Sequence, residues 1–381
     1  MLRVVWINKS KWLKPGPIVY MGLLNAMSFA QHKIATDYFV ASGDDSETEQ
    51  DLQHFYGLEP SSYLSIYRVK ETRPGARDVY QQAILKIEEY LHSGDHVIVL
   101  TRELGALSRL LKIKKKNPSL KVVYESHDYY LNRAHLPKQG FSALRRQWAE
   151  RLLIPKVDGL ICLTEHQRAL YQQFWNKLPI VALSLGCLKF KHQNLEQRRS
   201  KRRVAYIGHL HGYKGSDFIY DVAKLLKHKN ITLSCYGGHE KQVLQLRGEA
   251  RELGLEDVLK FDAFVSPAEL HRILDQDVSI GLVPLQDTFY SRYLTCPVKA
   301  LDFLSHGLPV VASDLPSTRE VLRETGLYCS SRNATEFAEA IEQLLDHSQN
   351  YQSASKLSYR RSLQLQWYLR AEKILRLLNL H

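Results

Sequence analysis

Short runs rich in β-branched residues recur along the chain, each bounded by polar positions. They are RVVWIN at 3–8, HVIVLT at 96–101, KVVYES at 121–126, GLICLT at 159–164 and PIVALS at 179–184. Between them, 17–31, 78–92, 103–116 and 141–155 carry apolar residues three and four positions apart, the period of a helix with one buried face. Strands alternating with helices predict a parallel sheet covered on both faces, so the first half reads as a Rossmann-like α/β layer. After a basic run the pattern restarts, with strands at 203–208, 231–237, 258–264, 278–285, 308–314 and 326–330. Helices fall at 215–228, 240–253, 267–274, 297–305 and 334–347. The prediction is therefore α/β, two Rossmann-like domains facing an interdomain cleft, because open sheets bind ligands outside the carboxyl ends of their strands. The boundaries read as 1–186, a basic linker at 187–202, a second domain at 203–355 and a helical segment at 356–381. That last segment, with Trp367, Leu369, Ile374, Leu375 and Leu378 at helical spacing, packs on the second domain or crosses back to the first.

Composition narrows the classes. With 381 residues, 44% apolar and 24% charged, the chain can bury a real core and is neither disordered nor fibrous. Uncharged apolar stretches such as Leu178 to Leu188 are too short to span a bilayer, and the first residues lack the apolar centre of a signal peptide. A cytoplasmic location is expected. Cys162, Cys187, Cys235, Cys296 and Cys329 are an odd set with wide spacing, which suits buried small hydrophobes better than disulfides or zinc. The net charge of +12 is regional: residues 101–203 hold 22 Lys/Arg against 7 Asp/Glu. This is solvated surface, or a face that meets phosphate, nucleic acid or an anionic membrane.

Three strand ends carry candidate chemistry. In YIGHLHGYKGSDF a strand ends at Gly208, turns through Gly212 and Gly215 and enters a helix beside Lys214. Such a loop is a phosphate site or an ordinary tight turn. In YLTCPVKALDF, Thr295 or Cys296 can cap a helix with Pro297 in its first position, leaving the amides of Val298 and Lys299 for an anion. Asp302, one turn on, accepts hydrogen bonds from ligand hydroxyls or is simply an exposed helix residue. In YESHDYY, Glu125, His127 and Asp128 sit where a strand ends, with Arg102 and Glu103 looking toward the same place. His127 polarises a hydroxyl, holds a sugar, or is a satisfied structural histidine.

Two of these segments carry a family resemblance. Over about 203–325, YIGHLHGYKG is similar to the G-R-L-x-x-x-K-G loop of the retaining family-4 type of GT-B glycosyltransferases, the glycosyl transferases group 1. CPVKALDFLSHGLPVVASD resembles that family's S-P-x-K-L-x-E-Y-x-A-x-G-x-P-V-V-A-S-D segment. In the first half only YESHD and ERLLIPKVDGLICLTEHQ match, loosely. The resemblance implies transfer of a sugar from a nucleotide-diphosphate sugar, UDP- or GDP-linked, to an acceptor hydroxyl, with retention, no cofactor and no metal. The donor is then held by the second domain and the acceptor by the first. On the matching positions, Lys214 and the amides near Val298 hold the diphosphate, Asp302 the ribose, and His127 is the active-site histidine. The loop Phe264 to Ser266, with Val265, meets the base, and Gly208, Gly215, Pro297 and Lys299 complete the donor side. Two positions depart from the family: His209 stands where Arg is usual, which makes diphosphate binding weaker or pH-dependent. Leu294 stands where a glutamate contacts the donor sugar, so the resemblance leaves the donor sugar unnamed.

With no carboxylate pair at glycosidase spacing, the resemblance implies a front-face substitution in which the leaving diphosphate takes the acceptor's proton. The segment 141–155 puts Phe141, Leu144, Trp148 and Leu152 near one face with Arg145, Arg146 and Arg151 off it. It reads as an interfacial helix on the inner membrane face or as an ordinary core stripe, and the acceptor as a glycan, a lipid-linked sugar or a small molecule. Competing readings are a nucleotide-sugar epimerase of the same fold, a non-catalytic nucleotide-sugar-binding protein, and a basic nucleic-acid-binding protein. No recognised nucleic-acid motif accompanies the charge.

Overall fold

A computed structural model describes residues 1–379 except 15, 44–47, 73–74, 76, 133–139, 191–193 and 211–215. The chain divides into two units. The first comprises Met1–Leu185, Tyr293–Thr295 and the chain from Trp367 onward; the second comprises Gly186–Arg292 and Cys296–Gln366.

The first unit holds seven strands: β1 (Leu2–Lys11), β2 (Ala35–Ala41), β3 (Leu64–Val69), β4 (His96–Thr101), β5 (Leu120–Ser126), β6 (Gly159–Cys162) and β7 (Ile180–Ala182). Their order is β3-β2-β1-β4-β5-β6-β7, and every pair is parallel. Helices Pro17–Gln31, Arg77–His92, Leu104–Lys116 and Phe141–Leu153 lie where the apolar period puts them. Strands β2 and β3 escape sequence reading for different reasons. In β2, Asp37 interrupts the apolar run, yet it is buried and accepts a hydrogen bond from Tyr90 Oη at 2.6 Å. β3 is an edge strand whose residues are only half-buried, so no apolar alternation marks it.

The second unit has β8 (Arg203–Ile207), β9 (Thr232–Gly238), β10 (Leu259–Ala263), β11 (Ile280–Val283), β12 (Val310–Ser313) and β13 (Gly326–Cys329). They form a second all-parallel sheet in the order β10-β9-β8-β11-β12-β13. Val204, Leu233, Phe261, Ile280 and Val311 from its strands pack with Phe218, Phe337 and Ile341 from its helices into one core. All five cysteines are free and buried, as their spacing suggests.

The described residues of the run expected to be a basic linker are built into the second unit instead. Leu188 N donates to Ser305 Oγ at 3.0 Å, Asn194 caps a helix Leu195–Ser200, and the buried Arg198 donates to the carbonyl of His306 at 2.6 Å. That carbonyl ends the helix Val298–Ser305, where orphan acceptors favour a cation. The expected C-terminal segment divides in two: helix Ser348–Gln364 stays with the second unit, and helix Trp367–Leu377 joins the first.

Candidate functional site

In the second unit the site grows from the ends of β8 and β9. Gly208 and Gly237 both have positive φ, 128° and 130°, and a Cβ on Gly237 would lie 2.5 Å from the Gly208 carbonyl oxygen. Only glycine allows the two strand ends to approach so closely. Lys299 reaches into the same place: its Nζ is 4.0 Å from the Tyr206 ring centroid and 3.5 Å from where a Cβ on Gly208 would stand. An ammonium held over an aromatic face keeps its charge directed at the opening left by the glycine.

Lys299 belongs to the first turn of Val298–Ser305, and here the expected capping is corrected. Pro297, extended at φ −71°, is itself the N-cap residue, with Thr295 and Cys296 lying before it. Proline has no side-chain acceptor, so no side chain caps the first-turn amides. The positive end of the helix and the Lys299 ammonium thus address one region. Asp302, one turn on, is half-buried rather than exposed, and it has no hydrogen-bond partner among the described residues. Burial pushes its carboxyl up to about 7. Such a group gains most from a ligand hydroxyl that donates to it.

Around the same strand ends, Phe264 makes edge contacts with His209 and His239, ring centroids 5.1 and 5.3 Å apart. Val265 is half-buried, and the Ser266 hydroxyl caps helix Pro267–Gln276 by accepting from the Glu269 amide at 3.2 Å. His209 is half-buried beside Gly208; Leu294 belongs to the first unit, where it is buried. Lys214 and Gly215, with Gly212, lie outside the described residues.

In the first unit, the end of β5 carries a buried charge network. Arg370 Nη2 donates to Glu125 Oε2 at 2.7 Å while its Nη1 donates to Asn25 Oδ1 at 2.9 Å and its Nε to the Ser184 carbonyl at 3.0 Å. Asn25 Nδ2 donates to the same Glu125 oxygen at 3.1 Å. Burial raises the Glu125 carboxyl, but the Arg370 charge and the His127 hydrogen bond outweigh it and hold it well below the usual carboxylate range. Burial and the Arg102 charge lower the His127 imidazole below its ordinary value, against the pull of Glu125. A neutral His127 beside an ionised Glu125 donates its Nε2 proton to Oε1, 2.7 Å away, and keeps Nδ1 as the acceptor.

The five residues predicted for this side separate. His127 and Arg102 share one electrostatic environment with Glu125, whereas the Glu103 carboxylate is buried and paired with Lys9 Nζ at 2.7 Å. Asp128 is exposed and accepts from Tyr130 Oη at 2.9 Å, which in turn accepts from Arg146 at 2.6 Å. Sequence reading missed Arg370, Asn25 and His239. One signal was available for Arg370: it lies with Trp367, Ala371 and Ile374 on the buried stripe of its helix, where a charge demands a partner.

Two parallel sheets flanked by helices form an α/β architecture, and it is that of the GT-B glycosyltransferases. Residues 201–347 match the family model described as Glycosyl transferases group 1. An uncharacterized glycosyltransferase of Haemophilus influenzae is 23% identical over 220 residues, covering 56% of this chain and 59% of that one. A D-inositol 3-phosphate glycosyltransferase of Corynebacterium aurimucosum is 27% identical over 252 residues, covering 60% of this chain and 58% of that one. The chain thus spans about three fifths of the length of these curated relatives. Anabaena HepE, solved with UDP and glucose, superposes with a TM-score of 0.65 at 16% identity, covering 99% of both chains.

Proposed function

We propose that this protein is a glycosyltransferase that moves a sugar from a nucleoside-diphosphate sugar to an acceptor hydroxyl. The observation that carries the reading is the meeting of Lys299, the glycine-lined end of β8 and the start of helix Val298–Ser305, with the unpartnered Asp302 one turn on. A diphosphate needs cationic charge and free amides, and a ribose needs an acceptor for its hydroxyls; this segment offers both. The match to glycosyl transferases group 1 covers this segment, and the similarity to HepE, which binds UDP, supports a nucleoside diphosphate as the donor's leaving group.

Transfer proceeds with retention. The bond from the anomeric carbon to the diphosphate oxygen breaks, the acceptor oxygen bonds to the same face, and the acceptor's proton passes to the departing diphosphate. Lys299, Lys214 and the helix amides stabilise the charge that develops on that leaving group, so metal is not required. His127, fixed through Glu125, positions the reacting sugar from the first unit, with Arg102 beside it. The protein acts in the cytoplasm on an acceptor at the inner face of the membrane, a lipid-linked sugar or a growing glycan.

The test is a thermal-shift panel of nucleoside diphosphates and their sugars. One base and one sugar should raise the melting temperature together, since a ligand stabilises the folded state it binds. A panel with no shift overturns the reading, and conversion of a bound sugar without any acceptor points to an epimerase instead.

A further inference from the structure

Helix Phe141–Leu153 turns its large apolar residues outward. Phe141 is 83% exposed, Trp148 56% and Leu152 56%, at spacings that align them along one face, whereas the helix buries Ala143 and Glu150. A core stripe would be the reverse. Arg145 and Arg151 are exposed on the same helix, and its one carboxyl, Glu150, is buried. The helix Leu104–Lys116 packs against it, contains no acidic residue and ends in exposed Lys115 and Lys116. Neither helix therefore presents a carboxylate to solvent.

We propose that this face docks on the surface of an anionic lipid bilayer. Phe141, Trp148 and Leu152 enter the boundary between headgroups and acyl chains while Arg145 and Arg151 reach lipid phosphates. The combination selects that occupant. Aromatic and aliphatic tips alone would suit any apolar partner, but on two helices that present cations and no carboxylate to solvent they match a surface that is apolar below and negative above. A second copy of the chain across a two-fold axis would set the same arginines against one another. No helix among the described residues is long and apolar enough to cross a membrane. The docking stands on this face alone, and its link to a membrane-borne acceptor rests on the proposed transfer.

Flotation of the full chain with phosphatidylcholine vesicles, with and without phosphatidylglycerol, tests it. Wild-type protein should float with the phosphatidylglycerol vesicles at low salt and be released as salt rises. F141S/W148S should lower the partition coefficient by roughly tenfold or more, and R145E/R151E should abolish binding, with unchanged melting temperatures. Trp148→Phe should remove the blue shift of tryptophan emission on vesicle addition. Equal flotation of wild type and F141S/W148S, indifference to phosphatidylglycerol, or conversion of a wild-type dimer to monomer by F141S/W148S overturns the docking. Nucleoside-diphosphate thermal shifts on the same preparations are independent of this outcome, so failure of the docking and failure of the proposed transfer are read separately.

Discussion

The Arg370 guanidinium and the Glu125 carboxylate, 245 residues apart, meet at 2.7 Å with side-chain exposures of only 3% and 2%. Through this contact the C-terminal helix determines the charge state of the residue that holds His127. Arg370→Met should cost about 3–5 kcal/mol, because it leaves a buried carboxylate without its cation. The depressed Glu125 carboxyl contributes stability that is fully present above its ordinary 4.5 and is lost as pH falls below that value toward its folded-state pKa. Urea titrations across that acid range should show the loss in the wild type and a smaller one in Arg370→Met. Identical acid profiles would refute the coupling.

His127 and Asp302 should fail differently. His127→Ala keeps nucleotide binding and loses turnover, whereas Asp302→Ala loses nucleotide affinity first. Calorimetry with the diphosphate identified by the panel, beside steady-state rates, separates the two. A His127→Ala enzyme with normal kcat would remove that residue from the site.

Asp302 also predicts a pH dependence. Its carboxyl, raised by burial to about 7, accepts hydroxyl hydrogen bonds well only when ionised. Nucleotide affinity should therefore rise with pH through about neutrality and flatten in Asp302→Asn. The same slope in both proteins would place the titration elsewhere.

Lys299→Met should weaken diphosphate binding by about 1.5–3 kcal/mol, the loss expected for a charged hydrogen bond, and Lys214→Ala by a similar amount. In the proposed mechanism these cations serve the leaving group, so transfer should persist in excess EDTA. Activity that vanishes with chelation and returns with a divalent ion would assign that task to a metal.

Glu150 gives a stability prediction that needs no ligand. Burial pushes its carboxyl up to about 8, against hydrogen bonds donated by Tyr171 Oη and the Tyr130 amide. The folded state thus holds a proton that the unfolded chain releases near 4.5, and stability from this group falls as pH rises from there to about 8. Glu150→Gln should remove that fall, a difference on the order of a few kcal/mol at the alkaline end. Chemical denaturation of both proteins at matched pH measures it, and parallel curves would contradict it.

Much of this protein is written locally. Apolar period places the helices Pro17–Gln31 and Leu104–Lys116 and the central strands β1, β4, β8 and β11, because period depends on residues a few positions apart. Gly208 and Pro297 are legible for a similar reason: a glycine at a strand end and a proline before a helix are local signals. Packing decided the rest. Asp37 reads as an interruption until Tyr90 supplies its hydrogen bond, and the basic run reads as linker until Arg198 finds the carbonyl of His306. The stripe of Phe141, Trp148 and Leu152 has the same period whether it faces a core or solvent, and only the packing that buries Ala143 and Glu150 instead settles which. Sequence alone named His127, but the partner that sets its proton is Glu125 as held by Arg370 and Asn25. That assembly exists only once helices from the two ends of the chain pack beside β5, since an ion pair is selected by distance in space and leaves no period along the chain.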